Sequence, residues 1–145
     1  VSDGAVSGRC QADMMKAAGK ALGVRWSTFR LCKRTNVQSI PNDAALVATC
    51  LGPPQPDPSG RIAKADSKVA TVTTKCIATG VTPVGPQFAG ACTAVSDAAF
   101  PGCVAERTRC SFCRRVNVAD DIVPPLDCDL FDDGTTNGSC PAAIS

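Results

Sequence analysis

The chain is expected to adopt a mainly α fold: a disulfide-stapled helical hairpin, a short helix, and a loop-rich C-terminal segment pinned by further disulfides. Three observations point there. Apolar residues recur at helical spacing in two long stretches, ten cysteines lie within 145 residues, and proline and glycine collect between the periodic stretches. The length suits one domain, residues 1–145, able to bury its own core. Aromatic residues are only 4% and Tyr is absent, so the core is expected to be built from Ala, Val, Leu and cystine sulfur.

Residues 1–9, VSDGAVSGR, are small and polar and read as an extended or frayed lead-in. A first helix is predicted over roughly Gln11 to Arg34. At 100° per residue, Cys10, Met14, Ala17, Ala21 and Cys32 share a narrow sector. Ala18, Leu22, Phe29, Met15 and Trp26 widen it, and Lys16, Lys20, Arg30 and Arg34 lie opposite. Gly19 and Gly23, one turn apart, each cost about 1 kcal/mol of helix propensity; either that cost is tolerated or another backbone comes close. After a turn at TNVQSIPND, a short helix is predicted from Ala44 to Cys50, starting at Asn42 or Asp43. LGPPQPDPSG, with four prolines, is a stiff connector.

A third helix is predicted from near Ser59 to about Cys76, with Ile62, Ala65, Val69, Val72 and Cys76 forming one apolar stripe. TVTT within it also suits a strand, but the 3.6 spacing favours a helix. The next stretch reads as loop, with a brief helical turn ended by Pro101-Gly102. A last helix, CVAERTRCSFCRRVNVADDIV, carries Cys103, Cys110 and Cys113 on one face, and an acidic tail after Pro124-Pro125 is held by Cys128 and Cys140. The organisation is thus a lead-in (1–9), a hairpin (10–76), and a short helix with an acidic tail (77–145).

An even, high cysteine count points to an oxidising, extracellular setting. Val1 in place of Met fits a mature secreted chain, and no stretch approaches the ~18 apolar residues of a membrane span. Connectivity is narrowed by geometry. If helices one and three pack antiparallel, Cys10 meets Cys76 and Cys32 meets Cys50. A Cys10–Cys32 bridge is excluded, because those thiols lie about 33 Å apart along one helix. Cys92, Cys103, Cys110, Cys113, Cys128 and Cys140 supply three more bridges whose pairing stays open.

The segments CQADMMKAAGKAL, DPSGRIAKADSKVA ending in KC, and DCDLFDDGTTNGSC occur in that order. The chain resembles a type of cysteine-rich secreted bacterial protein with a Cys-Gln helix, a D-P-x-G-x-I-A-K-A helix and a terminal D-C-D-x-F-D-D-G segment. The resemblance implies secretion and a stapled helical fold, and it brings no functional residue with it.

The composition excludes several chemistries. With no His there is no His-dependent triad, His-ligated zinc or ordinary haem ligation. Cys110-Ser-Phe-Cys113 is a C-x-x-C, but inside a helix and among eight other cysteines it reads as structural. A four-cysteine metal site from Cys103, Cys110, Cys113 and Cys128 lacks a second knuckle. Glu106 is the single Glu, which leaves no glycosidase pair. Asp127, Asp129, Asp132, Asp133 and Asn137 around Gly134 are the candidate calcium donors; the EF-hand register fails at Phe131 and Cys140, so the alternatives are an irregular calcium loop, a solvated turn with Asp caps, or a dock for basic residues. Asn137-Gly138-Ser139 matches a glycosylation pattern but reads as a turn.

All 15 Lys and Arg lie at or before Arg115, whereas the last 30 residues hold six Asp and no base. Arg25, Arg30, Lys33 and Arg34, with Arg107, Arg109, Arg114 and Arg115, make basic patches without the stacking aromatics of a nucleic-acid binder. The tail is expected to pack on its own body or on a neighbouring copy, with the basic face of the first helix as its leading target. The function classes that follow are a non-catalytic extracellular structural or interaction protein, self-assembling or bound to another extracellular protein, and a monomeric binding module for a small apolar ligand or calcium-dependent adhesion. No cofactor and no nucleic acid are implied.

Overall fold

The computed structural model describes residues 4–40, 42–52, 54–88, 90–120 and 125–141. Among these residues five α-helices follow in order: α1 (Gly4–Asn36), α2 (Asp43–Leu51), α3 (Arg61–Ala78), α4 (Phe100–Asp120) and α5 (Cys128–Asp133), with one 3-10 turn at Gly85–Gln87. No strand forms among the described residues. The TVTT stretch is helical because its apolar stripe, Val69, Val72 and Cys76, is buried at helical spacing; Thr71, Thr73 and Thr74 each donate a hydroxyl to the carbonyl four residues back, at 2.9–3.1 Å.

α1 is the rail on which the rest is mounted, about 50 Å long at 1.5 Å per residue. It is longer than expected: residues 4–9, read as a frayed lead-in, are helical. Val6, although flanked by small residues, packs against the cluster around Cys10, Met14 and Val72, and that contact extends the helix. α3 runs antiparallel to α1. At one end the Cys10–Cys76 bridge joins them, with Cα atoms 5.5 Å apart. Towards the other, Ala21 and Val24 pack on Ile62 and Ala65. Cys32–Cys50, with Cα atoms 5.6 Å apart, ties α2 beneath the C-terminal end of α1. α2 starts as expected, with Asn42 accepting from the Ala45 N–H at 2.7 Å. α3 begins at Arg61 rather than near Ser59, and Asp57 supplies the cap by accepting from the N–H groups of Ile62 and Ala63 at 3.1 and 3.0 Å.

Two further expectations are corrected. Pro101-Gly102 does not end a helical turn but lies in the first turn of α4, where the missing N–H of proline has no helical partner to lose. The expected last helix extends to Val123, and residues 121–124 lie outside the described residues, as do Pro41 and Pro53 of the two connectors. The core is also more aromatic than the composition suggests. Phe29, Phe100, Phe112 and Phe131 are all buried. Phe112 sits between Trp26, Phe29 and Phe131, at ring-centroid distances of 6.1, 5.8 and 6.1 Å.

The six C-terminal cysteines pair as Cys92–Cys103, Cys110–Cys140 and Cys113–Cys128. The first pins the loop before α4 to its opening turn, and the other two bolt the tail to its middle. The loop also uses close backbone contact: a Cβ on Gly85 would stand 2.5 Å from the Thr93 carbonyl oxygen, so only glycine fits there. Asp97 ties the same loop down by accepting from the Thr82 hydroxyl at 2.6 Å and the Val84 N–H at 2.7 Å. Those bonds, the Thr82 hydroxyl first, lower its pKa.

Candidate functional site

Three places concentrate polar or accessible chemistry: a half-buried ion pair inside the hairpin, the acidic tail, and a groove between α1 and α4. Arg25 belongs to the first and not to a basic surface patch. Its side chain is 2% exposed and its Nη2 donates to Asp66 Oδ2 at 2.6 Å. Nη1 reaches the Ala21 carbonyl, and Gln55 donates to the Arg25 carbonyl at 2.9 Å. The pair joins α1 to α3 where both are lined with alanine, a filling and positioning role.

In the tail, the acidic residues do converge, but on their own loop. Asp127 caps α5, accepting from the N–H groups of Asp129 and Leu130 at 3.1 and 3.2 Å. Asp129 accepts from the N–H groups of Gly138 and Cys140 at 2.9 and 3.0 Å. Asp133 takes the N–H and hydroxyl of Thr135, each at 2.9 Å, and the Asn137 side chain at 2.7 Å. Asp132 is not a solvated acid at all: it is 1% exposed and accepts from the Ser139 hydroxyl at 2.6 Å. Among the described residues no group of three or more acidic or cysteine side chains is arranged to hold a metal ion. Asp127, Asp129 and Asp133 accept from N–H groups and hydroxyls of their own loop, whereas Asp132 Oδ1 is buried without a hydrogen-bond partner among the described residues.

These bonds leave an acid signature. The Thr135 N–H, followed by the Asn137 amide, holds Asp133 down to about 2, and the Gly138 and Cys140 N–H groups lower Asp129. Because the folded-state values lie below the unfolded ones, this contribution to loop stability is present above the ordinary carboxylate range. It is lost as pH falls through the folded values, down to about 2 for Asp133. Carboxyl carbon NMR titration is expected to show Asp133 half-protonated near pH 2. Titration of both Asp129 and Asp133 at ordinary carboxylate values would contradict the loop geometry.

The tail docks on α4 and not on the basic face of α1. The bases that receive it are Arg107, Arg109 and Arg114, and they bind carbonyls, not carboxylates. Arg107 donates to the Ser139 oxygen, Arg109 to that of Asp132, and Arg114 to that of Pro141. Asn117 completes the clasp by exchanging two hydrogen bonds with the Leu126 backbone, at 2.9 and 3.0 Å. Arg107 and Arg114, seven positions or about two turns apart, share one face of α4.

No protein-family model, curated protein or solved structure matches this chain. All ten cysteines are bridged, Cys110 and Cys113 to different partners, so the C-x-x-C holds no dithiol. The five bridges are compatible with an extracellular protein. Among the described residues no helix is long and apolar enough to cross a membrane.

The remaining place is the groove. α4 lies beside α1 and runs in the same direction, and the two do not close fully along their outer edge. Two adjoining depressions of about 620 and 480 Å³ result, both lined by Gly19 and Leu22. One continues along Gly23 and Trp26 to Arg115 and Val118, and the other along Met15 and Ala18 to Val104. The apolar arc foreseen for α1 is thus only partly covered: Met15 is 71% exposed and Val118 is 80% exposed. A Cβ added to Gly19 or Gly23 would meet nothing within 4 Å, so neither glycine serves a close contact with another described element. Sequence reasoning marked Gly19, Gly23 and Trp26 but missed Val104 and Val118, whose part depends on how α4 lies.

Proposed function

We propose that this chain is a secreted, non-catalytic interaction module, a rigid disulfide-locked scaffold that presents the α1–α4 groove to another extracellular protein. The observation that carries this reading is the groove itself: an open apolar strip over a bolted framework, with exposed Met15 and Val118 at its margins. The lack of an activated nucleophile supports it, since there is no His and every thiol is bridged.

Self-assembly by a head-to-tail charge contact is the competing version. It loses its acidic donor, because the tail is folded back on its own α4 and Asp129 and Asp133 accept hydrogen bonds from their own loop. Light scattering after size exclusion, at low and high salt, is expected to give a monomer throughout. Filaments or salt-sensitive oligomers would overturn the reading and restore self-assembly.

A further inference from the structure

Resting on that reading, we infer that the α1–α4 groove is a seat for an acidic amphipathic helix of a partner protein. Its shape points to a rod. The floor follows α1 from Met15 to Trp26, about 17 Å at 1.5 Å per residue, and is open along its length. A small ligand in such a trough would stay largely exposed, whereas ligand pockets bury most of their occupant. A helix needs only one face covered, read out by anchors at helical spacing.

Gly19 and Gly23 give the second argument. They are one turn apart, both exposed, and open onto empty space. A backbone cleared at i and i+4 on a helix lets another helix approach closely, and no described element of this chain uses that clearance. Met15, Leu22 and Val118 then supply apolar contacts on either side, and methionine adapts to different side chains.

Charge selects the partner. Arg107, Arg114 and Arg115 line the two depressions and no lining residue is acidic. Arg115 is exposed and its side chain makes no hydrogen bond or ion pair with a described residue. A second copy laid into the groove would set like charges together, because its own groove edge carries the same arginines, and α5, the acidic helix of this chain, is only six residues long. A foreign helix flanked by Glu or Asp fits both the strip and its rim.

Trp26 is the single tryptophan and lines the groove, so its fluorescence reports occupancy directly. The probes are a panel of 18-residue synthetic helical peptides with leucines at heptad spacing, flanked by Glu in one series and by Lys in the other. The Glu series is expected to give a saturable blue shift of Trp26 emission that weakens with salt. That shift is expected to be lost in Gly23→Leu and Gly19→Leu, and to lose part of its salt dependence in Arg115→Gln. Circular dichroism on the glycine variants should show unchanged or increased helicity, since their new side chains enter open space. The inference is overturned if no Glu peptide shifts Trp26, if the Lys series binds equally, or if the leucine variants bind as before. It is also overturned if the protein alone shows a concentration-dependent shift, which would mean a second copy in the groove, or if dodecanoate gives the saturable, Gly23-sensitive shift in place of the peptides. A monomer that ignores the peptides leaves the interaction-module reading standing and removes only this occupant.

Discussion

Replacing Phe112 with alanine is expected to destabilise the protein by about 4 kcal/mol, within the range of about 3–5 kcal/mol for truncating a buried Phe. The side chain is fully buried and its ring is shared by three elements. It meets Trp26 and Phe29 of α1 edge-on, at interplanar angles of 80° and 77°, and Phe131 of α5 at 50°. Removing it empties the junction where α1, α4 and α5 meet, and the bridges Cys110–Cys140 and Cys113–Cys128 on either side restrict collapse into the void. At about 2–4 °C per kcal/mol for a chain of this size, the midpoint of thermal unfolding under non-reducing conditions should fall by about 8–16 °C. Phe112→Leu should cost much less, because most of the volume is kept. A fall of only a degree or two in Phe112→Ala would mean that this junction is not the centre of the core.

Removing the Cys10–Cys76 bridge by a double alanine substitution is expected to cost about 4 kcal/mol, and removing Cys32–Cys50 about 3 kcal/mol, from the loop-length dependence of chain entropy. The order follows from sequence separations of 66 and 18 residues. Urea unfolding of the two double variants checks it, with Cys10→Ala/Cys76→Ala having the lower midpoint at similar slope. The reverse order would show that the hairpin is not held chiefly by the clamp at its open end. Arg25–Asp66 and the packing of Ala21 and Val24 on Ile62 and Ala65 stay in place in both variants.

What could be read in advance followed from what is periodic. The spacing of Cys10 and Cys32 on one helix, with Cys76 closing a second apolar stripe, was enough to place the two nested bridges of the hairpin, since an antiparallel pair leaves few other partners within reach. The other three bridges were out of reach because they depend on a loop and a tail with no period. Cys110 and Cys113 share a helix face yet go to Cys140 and Cys128, a choice made by where α5 turns. Val6 and Pro101 were misread from local composition, which is weaker than a tertiary contact for the one and than the tolerance of a helix start for proline for the other. The acidic run was visible, but its direction was not. Whether Asp129 and Asp133 face solvent, a cation or an N–H group is decided by the loop through Gly138, and it is N–H groups that they meet. Arg25 shows the same limit: among the basic residues of α1 only its burial, opposite Asp66, separates it from its neighbours.

The groove was half visible. Gly19 and Gly23 at helical spacing are a departure from good helix composition that a chain tolerates at about 1 kcal/mol each, and Trp26 lies one turn further on. That the strip stays open required knowing that α3 covers the Cys10 side of α1 and that α4 leaves the Leu22 side partly bare.

The central claim, a helical rail clamped at both ends with its acidic tail bolted to α4, is tested most directly by non-reducing proteolysis and mass spectrometry of the bridged peptides. The expected set is Cys10–Cys76, Cys32–Cys50, Cys92–Cys103, Cys110–Cys140 and Cys113–Cys128. Cys10 joined to Cys32, or either of Cys128 and Cys140 joined to a cysteine of α1, would contradict it.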